Sequence, residues 1–247
     1  MAETIQQQVC ALREDERLRR ELVTNVSHDL RTPLASMQGY IETLIIKENA
    51  LDAGTRKQYL EIARRHATHL NRLIQDLFEL AILDSRGVTP EFEQFLLAEL
   101  IHDVVQEFEL QARDANIALE VNPPDESVSV YADISLIQRV LENLVGNALK
   151  HTPAGGKVSI SVQRSAAAVG VSVADTGPGI AEEALPHIFD RFYKADQHDE
   201  QAKGSMGLGL AITKRILELH SSQISVVSKE RQGTRFHFDL PVEARAA

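Results

Sequence analysis

Three groups of residues in this chain have the types and spacing to do chemistry. The first is Val26-Ser27-His28-Asp29-Leu30-Arg31-Thr32-Pro33-Leu34. Val23, Val26, Leu30, Leu34, Met37, Ile41 and Leu44 recur every three or four positions, so they share one face of a helix. At about 100° per residue, His28 is turned roughly 200° from Val26 and Leu30 and faces solvent. Thr32 lies one turn on along the same exposed face, and Asp29 flanks the histidine. Pro33 removes a backbone donor and should kink the helix one turn past His28. A neutral imidazole offers one lone-pair nitrogen for attack. A neighbouring carboxylate can hold the other N–H and stabilise the charge that develops. The same residues also fit a plain surface histidine on an amphipathic helix, and only the downstream groups decide between the two.

The second group is Glu142, Asn143, Asn147 and Lys150, on a helix expected over 134–150. Asn143 and Asn147 are one turn apart and share a face. A side-chain amide oxygen suits Mg²⁺ held together with substrate phosphates, and a lysine adds a point charge for phosphate. The third group is glycine-rich. Asp175-Thr176-Gly177-Pro178-Gly179-Ile180 ends a strand, and Gly204-Ser205-Met206-Gly207-Leu208-Gly209-Leu210 runs into a helix. A carboxylate at a strand end can accept a hydrogen bond from an exocyclic amine such as that of adenine. Glycines let backbone approach a ligand, and those at a helix start offer N–H groups to phosphate. Taken singly, each run is equally a turn or a polar helix face. Their order along one chain is what singles out a nucleotide site.

These groups need elements to position them. One long helix is expected over 1–47, then a hairpin loop over Glu48–Gly54 and a second helix over Thr55–Asp84. Tyr59, Ile62, His66, Leu70, Leu73, Leu77 and Leu80 line one face of that second helix. His66 and His69 read as packing or surface residues, and no cluster in the chain has structural metal-site spacing. Two such helices cannot cover their apolar faces alone, so a twofold dimer forming a four-helix bundle is expected. Ser85-Arg86-Gly87-Val88-Thr89-Pro90 loses the helical period and marks a linker. Beyond it, strands are expected at 92–97, 117–121, 128–131, 158–164, 169–174, 224–228 and 235–240, and helices at 100–115, 134–150 and 208–220. Tight strand pairs with helices between them give an α+β sandwich with its helices on one face.

Composition excludes several classes. The formal net charge is −10 and there is no long Lys/Arg run, which argues against general nucleic-acid binding. Cys10 is the only cysteine, so no intrachain disulfide forms and a reducing compartment fits. No run of about 18 apolar residues is present, so no membrane span is expected. The polar first residues lack the pattern of a signal peptide. A cytoplasmic location is therefore expected.

The run Ser27-His28-Asp29-Leu30-Arg31-Thr32-Pro33-Leu34 resembles the H-box of two-component sensor histidine kinases. Glu142–Thr152 resembles the N-box of the GHKL (Bergerat-fold) ATP-binding domain, Asp175–Ile180 its G1 box and Ile188–Lys194 its F-box. Gly204–Leu210 resembles the G2 box, and Gly233-Thr234 the last glycine motif. The resemblance covers roughly residues 18–240. It implies a multidomain chain: a signalling helix over 1–17 resembling the end of a HAMP linker, a dimerisation and histidine phosphotransfer domain over 18–86, a linker over 87–91 and a catalytic ATP-binding domain over 92–243. It also implies ATP-dependent phosphorylation of His28, with Asp29 as base or orienter and Thr32 serving dephosphorylation of a partner. Asn147 would hold Mg²⁺ and Asn143 would support nucleotide and metal. Lys150 and Lys194 would contact phosphates, Asp175 would read adenine, and Gly177, Gly179, Ile180, Gly204, Gly207, Leu208, Gly209, Leu210 and Thr234 would line the nucleotide.

His151 stands where the family usually has an aromatic residue. Ser205 and Met206 replace the usual glycine and threonine of the G2 box, while its three glycines remain. Residues 190–204, polar and without period, would be the ATP lid. The implied partners are a second copy of the chain, through residues 18–86, and the receiver domain of a response regulator. An upstream membrane sensor in a longer protein is a further expectation. Two rivals stand beside this reading: a dimeric scaffold that binds ATP without transfer, and an ATP-hydrolysing or Ser/Thr-kinase relative. Intact His28, Asp29, Asn147 and Asp175 argue against the first, and the helical hairpin against the second.

Overall fold

The computed structural model describes residues 26–27, 29–47, 50–85, 88–122, 128–165, 168–194 and 206–242. These fall into two compact units that divide within one helix, between Phe78 and Glu79.

The first unit is a helical hairpin. Helix α1 is continuous over 29–46 and passes through Pro33. Helix α2 spans Ala53–Asp84 and is launched by Asp52. The Asp52 carboxylate accepts from the Thr55 backbone N–H (2.9 Å) and from its hydroxyl (2.6 Å), satisfying donors that a helix start leaves open. The period read from sequence is the packed face of α2: Leu73 and Leu80 are buried, and Tyr59, Ile62, His66, Leu70 and Leu77 are half-buried, with Ala63 buried beside them. Tyr40 of α1 meets the Tyr59 ring edge-on at 5.3 Å and stacks on His66 at 6.4 Å, so His66 is a packing residue. The α1 seam is covered only in part, since Leu34 and Ile41 are 39% and 41% exposed, and Ile45 next to the seam residue Leu44 is 69% exposed.

The second unit is built on a five-stranded sheet in the order β2-β4-β5-β7-β6. Its strands are β2 Ala118–Asn122, β4 Lys157–Arg164, β5 Ala168–Asp175, β6 Ile224–Ser228 and β7 Thr234–Pro241. β2 and β4 are parallel, and the other pairs are antiparallel. A separate antiparallel pair joins β1 (Glu93–Leu96) to β3 (Ser129–Ala132). Alternation along the strands sends one face inward: Val158, Ile160, Val169, Val171, Val173, Phe236, Phe238 and Leu240 are buried. Ser161, Ser172, Arg235 and His237 point to the other, more exposed face.

Helices α3 (Leu97–Asp114), α4 (Ile134–His151) and α5 (Gly209–Leu219) complete the core. Ile137, Leu141 and Leu144 of α4 and Ile212 and Ile216 of α5 are fully buried. Each such side chain contributes about 1.5–3 kcal/mol by leaving water. Helix α3 starts at Leu97 rather than at Leu100, with no side-chain cap. Helix α4 starts where Asp133 caps it: one carboxylate oxygen accepts from Leu136 N–H (3.1 Å) and Ser135 hydroxyl, the other from Glu91 N–H (2.9 Å). Burial alone would raise the Asp133 pKa, but these bonds and nearby His220 outweigh it and hold the carboxyl below its ordinary value.

Candidate functional site

The end of β5 organises the site. Asp175 is its last residue, and both backbone donors that reach the side chain fall on Oδ1: Gly177 N–H at 2.8 Å and Thr234 N–H at 3.2 Å. Neither bond uses Oδ2, so that oxygen's lone pairs suit an incoming donor. Burial pushes the Asp175 carboxyl above its ordinary value, against the pull of those two N–H groups and of His151. A partly desolvated carboxylate with one saturated oxygen is shaped to recognise an amine.

Around Asp175 the chain runs too close for side chains. A Cβ on Gly233 (φ +84°) would stand 2.0 Å from the Asp175 carbonyl oxygen, and one on Gly179 (φ +73°) 2.1 Å from that of Lys229. A Cβ on Gly177 would meet the His151 carbonyl at 2.6 Å. Only glycine fits these positions, and two of them also need its left-handed backbone. Ser228 ties the G1 run to the last hairpin: its hydroxyl accepts from Ile180 N–H (2.8 Å), donates to the Gly233 carbonyl (2.9 Å) and lies 2.9 Å from the Thr234 hydroxyl. Nothing in the local sequence marks Ser228, because only the β6–β7 register, which pairs Ser228 with Thr234, brings it here.

Helix α4 supplies the amide pair. Asn143 is buried, and its Nδ2 donates to the Gly209 carbonyl at 3.3 Å. It therefore fixes the first turn of α5 against α4. Asn147, one turn later on the same face, is half-buried, as is Lys150, while His151 is exposed. The glycine loop is held in turn: Phe192 N–H donates to the Gly207 carbonyl (3.0 Å), and a Cβ on Gly207 (φ +69°) would meet the Tyr193 carbonyl at 2.4 Å. Leu208 is buried, and Gly209, Leu210 and Lys194 are half-buried. The groups read as N-box, G1, F-box, the end of G2 and the last glycine motif thus lie within one unit of the fold. Residues 195–204 of the expected lid, Gly204 among them, lie outside the described residues, as do Ser205 and His28. On α1, Asp29 is half-buried and Thr32 exposed.

Two family models match the chain: the His Kinase A (phospho-acceptor) domain over residues 18–86, and the histidine kinase-, DNA gyrase B- and HSP90-like ATPase over residues 132–244. The catalytic domain of histidine kinase ThkA is 36% identical, with a TM-score of 0.54 over 62% of this chain and 96% of that one. This chain belongs to the sensor histidine kinases. ThkA solved in complex with the response regulator protein TrrA is 31% identical, with a TM-score of 0.75 over 94% of this kinase chain and 64% of that one. Adaptive-response sensory kinase SasA of Rippkaea orientalis is 36% identical over 222 residues, 88% of this chain and 56% of that protein. The kinase core described here therefore spans little more than half of that curated relative's length. The helices α1 and α2 fall in the stretch matched by the phospho-acceptor model, and α4 to β7 fall in that matched by the ATPase model. Among the described residues no helix is long and apolar enough to cross a membrane.

Proposed function

We propose that this core binds ATP in the glycine-lined site at the end of β5, transfers its γ-phosphoryl group to His28, and passes that group to an aspartate of a response regulator. The observation that carries the reading is the Asp175 carboxylate, with Oδ1 saturated by backbone and glycines packed around it, in the same chain as His28-Asp29-x-x-Thr32. Asp175 Oδ2 accepts from the adenine amine. Asn147, supported by Asn143, faces the phosphates with its amide oxygen, and Lys150 and Lys194 add positive charge there. Among the described residues no cluster of three His, Cys, Asp or Glu side chains is placed to hold a metal. The oxygen of the Asn147 amide would hold Mg²⁺, a hard ion that prefers oxygen donors and usually binds together with substrate phosphates. When bound, Mg²⁺ would neutralise negative charge on the phosphates.

The neutral His28 imidazole attacks the γ-phosphorus with its lone-pair nitrogen. A nitrogen–phosphorus bond forms, the bond to the β-phosphate oxygen breaks, and ADP leaves. Asp29 accepts the hydrogen bond from the other ring N–H and stabilises the developing imidazolium. Thr32, exposed one turn further along α1, places its hydroxyl to orient water during dephosphorylation of the regulator. The receiver-domain partner is inferred from the likeness to ThkA, solved with its regulator TrrA. The homodimer forms through residues 18–86, where Leu34, Ile41 and Ile45 leave apolar surface for a second copy. The site of action is the cytoplasm, consistent with the kinase core itself. The test is incubation with γ-labelled ATP and Mg²⁺, followed by addition of a receiver domain. Acid-labile label should appear on the kinase and then move to the receiver, and acid-stable label or none at all contradicts the proposal.

A further inference from the structure

The last six residues of α2, Glu79–Asp84, belong to the same compact unit as the ATP-binding domain. Leu80 and Leu83 are each only 2% exposed. Three arginines, from three different elements of that domain, converge on this short stretch. Arg139 of α4 donates through Nε to the Glu79 carboxylate at 2.9 Å. Arg215 of α5 donates through Nε to the Leu83 carbonyl at 3.1 Å and lies 3.8 Å from Asp84. Arg191 reaches the two Asp84 carboxylate oxygens at 3.0 and 2.8 Å. The Leu83 carbonyl is one of those a helix end leaves without an internal partner, and cations are favoured there by the helix dipole.

What makes the arrangement functional is where the arginines come from. Helix α4 carries Asn143 and Asn147. Helix α5 begins at Gly209, which Asn143 holds. Arg191 precedes Phe192, whose N–H holds the Gly207 carbonyl. The Asp84 carboxylate is thus one residue away from the bond that fixes the glycine loop. Phe192 itself has φ +64°, a backbone state that costs free energy and persists only where its neighbours hold it.

We propose that Asp84 is a positioning residue of the nucleotide site: through Arg191 it sets the strap of residues 191–194, and through that strap the Gly207 loop. Nucleotide affinity then depends on the state of the last turn of α2, a helix that runs unbroken from Ala53. Arg191 and Asp84 are 39% and 31% exposed, and an ion pair so placed adds little to stability in water. Cutting it should therefore move affinity more than melting temperature, which separates positioning from mere structural support. The inference rests on the proposed nucleotide site but not on transfer to His28, because binding is read without any phosphorylation.

The experiment is titration calorimetry of the whole chain with a non-hydrolysable ATP analogue and Mg²⁺, alongside thermal melts. Asp84→Asn should weaken binding about three- to tenfold, Arg191→Met should do the same, and the double variant should be no weaker than either one. Asp84→Glu, which keeps the charge, should stay within about twofold of the parent. The proposal is overturned if both neutral variants bind within twofold of the parent, or if their effects simply add. Arg191→Met cuts the same pair from the other side, so the question stays answerable should Asp84→Asn melt below the assay temperature. A parent chain that binds no analogue at all refutes the nucleotide site instead, whereas one that binds but never labels His28 leaves this inference standing.

Discussion

Asp175→Asn is the substitution that separates recognition from folding most sharply. The amide oxygen can replace Oδ1 and keep both backbone bonds, from Gly177 at 2.8 Å and Thr234 at 3.2 Å. The amide nitrogen then stands where Oδ2 was, and it is a donor facing the donor amine of adenine. A hydrogen bond to a charged group contributes about 1.5–3 kcal/mol, so its loss corresponds to roughly a 10- to 150-fold weaker Kd. Stability should move the other way or not at all. Burial raises the Asp175 pKa, so the folded chain holds this proton more tightly than the unfolded chain does. The cost of the buried charge grows as pH rises from the unfolded pKa through the folded one, and it is fully present at neutral pH. Asn carries no such cost, so the nucleotide-free variant should melt at or above the parent temperature at pH 7. Calorimetric titration with ATP and a melting curve on the same preparation decide the matter. A Kd within twofold of the parent would refute the role of Asp175. A large fall in melting temperature would refute the hydrogen-bond substitution.

Three further outcomes follow from the structure. The buried His220 accepts the Asp133 N–H at 3.1 Å through Nε2 and bonds the Ile216 carbonyl at 2.8 Å through Nδ1, a pattern only the neutral ring satisfies. Burial lowers its pKa, so the unfolded chain takes up this proton first, and stability is lost as pH falls below about 6.5 toward the folded pKa. Melting temperature should drop over that window in the parent, and the His220-dependent part of the slope should vanish in His220→Gln. Gly233→Ala places a Cβ 2.0 Å from the Asp175 carbonyl in a left-handed backbone. The backbone strain alone costs about 1–2 kcal/mol, so chemical denaturation should show at least that loss, and a loss below about 0.5 kcal/mol would contradict the packing. Thr32→Ala should slow dephosphorylation of the phosphorylated receiver at least tenfold while His28 labelling stays within about twofold, a split of roughly 1 kcal/mol or more between the two barriers. Equal losses in both assays would remove Thr32 from that role.

Much of the frame was legible in the residue pattern, because periodicity reports burial directly. The three-to-four spacing of Ile137, Leu141 and Leu144 is the buried face of α4, and the alternation of Val169, Val171 and Val173 is the inward face of β5. Asp133 caps α4, the role that an aspartate directly before a helical period is suited to. Pairings set by distant packing were not legible. The parallel register of β2 on β4, Ala118 against Lys157, depends on how α3 and α4 fill the space above the sheet, and nothing local encodes it. Within the site, Asp175 and the glycines stand out by type, but Asn143 finds its partner 66 residues away at Gly209, and Ser228 enters only through the β6–β7 register. Asp84 looked like the mere end of a helix, because its value lies in Arg191 and Arg215, more than a hundred residues downstream. The exposed apolar residues Ile45 and Phe78 follow the opposite logic: their types suit a core that a single hairpin does not provide.

The most direct measurement is tandem mass spectrometry of the chain after incubation with ATP and Mg²⁺, with digestion kept at neutral to basic pH so that a phosphoramidate survives. The phosphoryl group should sit on the imidazole of His28 and be absent from His28→Gln, which still binds ATP. A phosphoryl group found on another residue, or undiminished phosphorylation of His28→Gln, would contradict the assignment of this histidine as the acceptor.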